Sequence, residues 1–73
     1  MMAMDYSKLI GRIVEKFGSR TAFAKAMGMT DDALGRRLNH GARFKSMEYI
    51  KACELLEIHP KEMHLYFFTP KLR

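Results

Sequence analysis

Several residue types that constrain small proteins are scarce in this chain of 73 residues. Its single cysteine, Cys53, excludes an internal disulfide and any zinc site with several cysteine ligands. No run of about 18 apolar residues is present, which argues against a transmembrane segment, and the first residues lack the pattern of a secretory signal. We therefore expect a protein of the reducing cytoplasm with no membrane partner.

Acidic residues are outnumbered by basic ones. Thirteen lysines and arginines against eight acidic residues leave a net charge of +5 and an isoelectric point near 9.7. This excess favours an anionic partner, either nucleic acid or an acidic surface, although it also suits an ordinary solvated coat. A chain this short buries only about 60% of the surface that its unfolded form exposes, which argues against a large active-site cleft.

Groupings of catalytic or metal-binding side chains are also missing. The three histidines, His40, His59 and His64, are not spaced to place two ligands on one helix face beside a cluster of carboxylates. The serines have no histidine and acid in an arrangement typical of nucleophilic catalysis, and no glycine-rich phosphate-binding loop is present. The sequence predicts neither an enzyme nor a metal or cofactor site.

Apolar residues at spacings of three and four predict short helices throughout the chain. The predicted segments are residues 6–17, 20–27, 30–39, 47–56 and 60–67. Asp5, Ser19, Thr30 and Ser46 are suited to N-caps, and Pro60 is suited to the first turn of the last helix. The pattern predicts an all-α fold in which residues 1–73 form one domain with flexible ends at residues 1–4 and 69–73.

Two helices have faces that the spacing assigns to the core. On the first helix the inward residues are Leu9, Ile10, Ile13, Val14 and Phe17. On the fourth helix they are Ile50, Cys53 and Leu56, which makes Cys53 an inert core residue.

Residues 20–39 contain a short helix, a tight turn and a second helix. Ala24 is small where the two helices would cross, and Gly28 follows four residues later, where the chain must turn. Leu34 and Leu38 would hold the second helix against the first. This is the pattern of a helix-turn-helix.

On these residues the segment resembles the helix-turn-helix of the phage Cro and repressor family, the XRE-like transcription regulators. The stretches Leu-Gly-Arg-Arg-Leu-Asn-His-Gly and Glu-Met-His-Leu-Tyr-Phe-Phe also resemble small Cro-like proteins of Gram-positive phages. That group includes modulators of repression, which act together with a repressor protein. The resemblance covers residues 6–68 and implies a compact five-helix domain of the lambda-repressor-like type.

The resemblance assigns Asp31, Asp32 and Arg36 to positions that face base edges. Arg36 can donate two hydrogen bonds to guanine, and Asp32 can accept one from cytosine. Two other interpretations stay open: the carboxylates of Asp31 and Asp32 complement the helix dipole, and Asp32 pairs with Arg36 four residues later.

A basic stretch follows the start of this helix, because no acidic residue lies between positions 33 and 47. Its cations suit contacts to DNA phosphates. The resemblance adds the start of the second helix, where free backbone N–H groups also suit phosphate. The predicted backbone contacts are Arg20, Thr21, Arg37, Asn39, Arg43 and Lys45.

Three consecutive aromatic residues, Tyr66, Phe67 and Phe68, stand near the end of the chain. Consecutive residues of a helix cannot all face one core, so one or two of these rings are expected to cover the core. A surplus ring would lie in a homodimer or partner interface, and regulators of this type bind two DNA half-sites as dimers.

Two functions follow. The first is a sequence-specific, Cro-like DNA-binding transcriptional regulator of phage or prophage origin, acting on double-stranded operator DNA. The alternative is a modulator or antirepressor that acts mainly by binding a partner phage repressor protein. Asp31, Asp32 and Gly35 motivate the alternative, because two carboxylates would meet DNA with like charge and a glycine allows close approach of a partner.

Overall fold

The structure is a computed structural model that describes residues 4–71. It contains the helices α1 (Ser7–Phe17), α2 (Arg20–Met27), α3 (Asp31–Asn39), α4 (Ser46–Leu56) and α5 (Met63–Phe67), with a 3-10 turn at Pro60–Glu62. Within the described residues the β pairing is limited to an isolated bridge. The predicted all-α fold with five helices is confirmed.

Two of the predicted N-caps act as expected. The Ser19 Oγ accepts a hydrogen bond from the Ala22 backbone N–H at 3.1 Å, and the Thr30 Oγ1 accepts one from Ala33 at the same distance. Asp5 lies one residue before the N-cap of α1 and accepts a hydrogen bond from the Ser7 backbone N–H at 2.9 Å.

The prediction for α4 was wrong by one residue. Its N-cap is Lys45 rather than Ser46. The Glu48 carboxylate accepts a hydrogen bond from the Lys45 backbone N–H at 2.9 Å. A glutamate at this place satisfies an N–H group that the start of the helix would otherwise leave free.

The core forms where all five helices meet. Its buried residues are Leu9, Ile13, Phe23, Ala24, Met27, Leu34, Leu38, Phe44, Ala52, Leu56, Ile58 and Phe67. Aromatic rings pack edge to face at its centre, with the centroids of Phe44 and Phe67 at 5.3 Å and those of Tyr49 and Phe67 at 5.1 Å. The core therefore includes Phe44, from the connector between α3 and α4.

Two residues that the spacing placed in the core are exposed. Val14 is 49% exposed and Ile50 is 55% exposed. The buried side of α4 is set by Ala52 and Leu56, and at about 100° per residue Ile50 lies almost opposite Ala52. Cys53 lies on the margin of the core and is half-buried.

The connection between α2 and α3 has the predicted geometry. Gly28 is left-handed with φ 77°, and the Met29 backbone N–H donates to the Ala24 carbonyl at 2.9 Å. Ala24 is 1% exposed, as expected for a small residue at the helix crossing. The turn thus places α3 across the end of α2.

The two ends of the described chain lie side by side. Met4 pairs with Pro70 in an antiparallel bridge, and the Asp5 backbone N–H donates to the Thr69 carbonyl at 2.7 Å. The bridge places Met4 beside Pro70, and the flexibility predicted for the two ends stays a prediction. The rest of the predicted flexible ends, residues 1–3 and 72–73, lies outside the described residues.

Arg12 of α1 binds the end of α4. Its Nε donates to the Leu56 carbonyl at 2.8 Å and its Nη2 donates to the Glu57 carbonyl at 3.0 Å. Glu57 has φ 55°, and among residues 4–71 it is the one non-glycine residue in the left-handed region. The helix therefore ends at a strained residue.

Replacing Glu57 tests this strain. We expect Glu57→Gly to be more stable than Glu57→Ala by about 1 kcal/mol, because a Cβ in the left-handed conformation costs about 1–2 kcal/mol. Both variants lose the exposed ion pair of Glu57 with Lys16, so their comparison isolates the backbone strain. Urea unfolding followed by circular dichroism measures the difference, and equal midpoints would contradict the prediction.

Candidate functional site

The outward face of α3 carries the residues predicted to contact bases. Leu34 and Leu38 are buried and fix the orientation of the helix, so Asp32 and Arg36 lie exposed on the other side. Asp31 is exposed in the first turn, on the side towards α2. The Arg36 Nη2 and the Asp32 Oδ2 form an ion pair at 3.0 Å, with 61% and 81% of the two side chains exposed. Such an exposed pair stabilises little, so a partner can separate it at small cost.

The start of α2 lies beside the start of α3. The Thr21 hydroxyl donates to the Asp31 Oδ2 at 3.3 Å, and Arg20 and Thr21 are exposed. The place predicted to hold a DNA phosphate therefore has a carboxylate at its edge. A phosphate there would meet like charge, whereas a cationic side chain of a partner would be attracted.

The side chain of Arg37 contacts Glu48 of α4 and the carbonyl of Ala33. Its Nε donates to the Glu48 Oε1 at 2.9 Å and its Nη2 donates to the Glu48 Oε2 at 3.1 Å, while its Nη1 donates to the Ala33 carbonyl at 2.9 Å. Only 14% of the Arg37 side chain and 19% of the Glu48 side chain are exposed. In this arrangement the guanidinium joins α3 to α4 and is engaged within the chain, and a phosphate contact by Arg37 stays a prediction.

Glu48 is the partner of Arg37, and no signal in the sequence pointed to this pair. Burial alone would raise the pKa of its carboxyl, but the hydrogen bonds from the Lys45 backbone N–H and the Arg37 guanidinium outweigh it and hold the pKa below its usual value. Glu48 is therefore a carboxylate at neutral pH and neutralises Arg37.

The remaining residues predicted to contact the DNA backbone lie at the starts of two helices and along a groove. Arg20 and Lys45 are exposed at the starts of α2 and α4. Asn39 and Arg43 line a groove of about 650 Å³, together with Phe67 and Phe68. The structure thus brings predicted phosphate contacts and predicted interface aromatics together around one concavity.

The three aromatic residues have three different environments. Phe67 is fully buried and serves as one of the rings expected to cover the core, whereas its role at an interface stays a prediction. Phe68 is 43% exposed. Tyr66 is half-buried, with the Lys8 Nζ 5.1 Å from the centroid of its ring. Among these three residues, Phe68 at the end of α5 therefore has the largest exposed surface available to a partner.

Residues 4–71 give little support for a reactive cysteine, a metal site or a membrane-spanning helix. Burial raises the pKa of the Cys53 thiol, which disfavours the reactive thiolate. In this part of the chain no three metal-ligating side chains come close enough to hold an ion. None of the described helices has the length and apolar character needed to cross a bilayer.

A protein family and a solved structure each match nearly the whole chain. Residues 2–70 match the family described as "Protein of unknown function (DUF739)". The chain is also similar to the solution structure of the modulator of repression (MOR) of the temperate bacteriophage TP901-1 from Lactococcus lactis. The two are 39% identical, the match covers 99% of this chain and 97% of that chain, and the TM-score is 0.80. No curated protein matches. The chain therefore belongs to the DUF739 family and is a structural relative of a phage modulator of repression.

Proposed function

We propose that this chain is a phage or prophage regulator that modulates repression by binding a partner repressor protein through the outward face of α3. The observation that carries the proposal is the pair of exposed carboxylates, Asp31 and Asp32, at the front of α3 in a protein whose net charge is +5. The 39% identity with a modulator of repression over 99% of the chain supports it.

The chemistry of a repressor suits this face. A protein that binds DNA neutralises phosphates with lysine and arginine, so its DNA-binding surface is basic. Asp31 and Asp32 present two carboxylates to such a surface, and Arg36 can release Asp32 because their ion pair is exposed. The same carboxylates weaken the attraction of this chain for DNA.

Gly35 adds space for a partner on this face. It lies three residues after Asp32 and four after Asp31, which places it on the same side of the helix. A Cβ at Gly35 would meet nothing within 4 Å in the chain. The backbone is therefore accessible to close approach without any internal packing reason for the glycine.

The test is the affinity for the repressor of the same phage or prophage. We expect the double variant Asp31→Asn, Asp32→Asn to lose at least about tenfold in affinity, because charge-assisted hydrogen bonds are removed. The matched control is Glu15→Gln, Glu54→Gln, which removes two exposed charges from α1 and α4. Titration calorimetry measures both, and equal losses in the two variants, or none, would contradict the proposal.

A second candidate is sequence-specific binding of operator DNA by a homodimer. It is favoured by the exposed Arg36 and by the exposed cations Arg20, Arg43 and Lys45. In that case Asp31→Asn, Asp32→Asn should bind DNA more weakly, Arg36→Ala should lose discrimination between sequences, and Lys45→Ala should weaken all sequences alike. The modulator proposal instead expects removal of the carboxylates to strengthen DNA binding, which gel shifts at rising salt distinguish.

A further inference from the structure

We propose that the groove of about 650 Å³ at the end of α3 is a second docking site, separate from the α3 face. Its occupant would be a short segment of a partner protein in which carboxylates flank one apolar side chain. We define this aromatic groove by Met4, Tyr49 and Phe68 on its apolar side and by Arg43 and Lys71 on its rim. The groove adjoins Asn39, whereas Asp31 lies at the other end of α3, about 12 Å away along the helix.

Residues 4–71 leave the apolar side of the groove uncovered. Phe68 is 43% exposed and Met4 is 37% exposed. The Tyr49 ring backs Phe68 at a centroid distance of 5.3 Å and is held edge to face against Phe67 at 5.1 Å. An exposed aromatic side chain on a rigid support is typical of an interaction site, because covering it removes apolar surface from water.

The rim of the groove carries charge of one sign. Arg43 and Lys71 line it with His40, and none of the described residues that line it is acidic. Asp5 lies outside the lining, where hydrogen bonds from Ser7 and, to a smaller extent, the charge of Lys71 hold the pKa of its carboxyl below the usual value. Within residues 4–71 neither Arg43 nor Lys71 forms an ion pair, whereas Arg37, which also lines the groove, is neutralised by Glu48. Two free cations beside an apolar wall complement a carboxylate that stands next to an apolar side chain.

The geometry favours a peptide over nucleic acid. Proteins that bind single strands stack successive bases on successive open rings, whereas here Tyr49 and Phe67 are packed against other rings and Phe68 alone is well exposed. A duplex is too wide to enter a concavity of about 650 Å³. This size lies in the range of about 300–1,000 Å³ typical of ligand clefts and suits a few residues of a peptide.

The experiment is a titration of the full chain, labelled with ¹⁵N, with three capped pentapeptides. These are Asp-Asp-Phe-Asp-Asp, Lys-Lys-Phe-Lys-Lys and Asp-Asp-Ser-Asp-Asp. We expect saturable amide shifts at residues 41–43, 68, 69 and 71 with the first peptide only. Shifts that do not saturate, shifts confined to other helices, or equal binding of the lysine peptide would overturn the proposal.

Two variants check the contacts. Phe68→Ser and Lys71→Glu should each weaken the first peptide by about tenfold. Lys61→Glu is the matched control, because it makes the same charge change at an exposed residue of the 3-10 turn and should bind nearly as the wild type does. Retained dispersion of the amide spectrum shows that each variant is folded. Equal weakening by Lys61→Glu and Lys71→Glu would overturn the assigned contacts.

Two further titrations test whether the groove binds nucleic acid instead of a peptide and whether it acts independently of the α3 face. A thymidine trinucleotide that shifts the same amides and binds more tightly than the peptide would overturn the choice of a peptide. The variant Asp31→Asn, Asp32→Asn should still bind the acidic peptide, because its changes lie at the opposite end of α3. Loss of acidic-peptide binding at the groove and loss of repressor binding at the α3 face are therefore distinguishable.

Discussion

Removing the Glu48 carboxylate is expected to destabilise the fold by about 2–4 kcal/mol, because it leaves the guanidinium of Arg37 partly buried without its counter-ion. Three hydrogen bonds hold Arg37, two to Glu48 and one to the Ala33 carbonyl. A domain of this size is stabilised by only about 4–10 kcal/mol. Glu48→Ala should therefore show a large shift of the urea midpoint.

Two comparisons show that the loss comes from the unpaired charge. The double variant Arg37→Met, Glu48→Leu should recover most of the stability, since replacing a buried pair by apolar residues of similar size is often neutral. Asp32→Ala removes the exposed ion pair of α3 and should change stability by less than about 1 kcal/mol. A midpoint for Glu48→Ala equal to that of Asp32→Ala would contradict the account.

The pH dependence of this contribution has a definite sign. The pKa of Glu48 is lower in the folded chain than its usual value. Its contribution is therefore complete above the unfolded pKa, near 4.5, and is lost as the pH falls through the lower folded value. The stability difference between the wild type and Glu48→Gln should shrink below about pH 4, and a difference that is independent of pH would contradict the ionised pair.

Gly35→Leu is expected to lower the affinity for the partner repressor by about 10–100-fold while the chain becomes no less stable. Leucine is a better helix former than glycine by about 0.8 kcal/mol, and a Cβ at Gly35 meets nothing within 4 Å inside the chain. The Cβ of the new side chain therefore meets no neighbour among the described residues, and we expect the leucine to disturb mainly a partner at the α3 face.

Gly11 offers a matched control. It lies in α1, is exposed, and a Cβ there also meets nothing within 4 Å. Gly11→Leu should raise stability by a similar amount and leave the affinity for the repressor unchanged. Thermal unfolding and titration calorimetry on both variants separate the two effects, and equal affinities for the repressor would show that Gly35 is not at the interface.

Features that depend on neighbouring residues could be predicted from the sequence. Ser19 and Thr30 cap their helices and Gly28 takes a left-handed turn, as their residue types require. These outcomes follow from interactions over two to five positions, which a sequence displays directly. The five-helix fold follows from the same local signals.

Features that depend on packing could not be predicted in this way. Arg37 and Glu48 are eleven residues apart and belong to different helices, so no periodic signal joins them. Ile50 is apolar at helical spacing, but the small Ala52 lies against the core and turns Ile50 outward. The groove combines residues from both ends of the chain, which only the folded arrangement brings together.

The most direct test of the α3 assignment is an amide-shift map of the ¹⁵N-labelled chain titrated in parallel with its repressor and with operator DNA. We expect the repressor to shift the amides of residues 31–36 at concentrations where DNA leaves them unchanged. Shifts from DNA at those residues at lower concentrations than the repressor requires, or repressor shifts that leave residues 31–36 unaffected, would contradict the assignment.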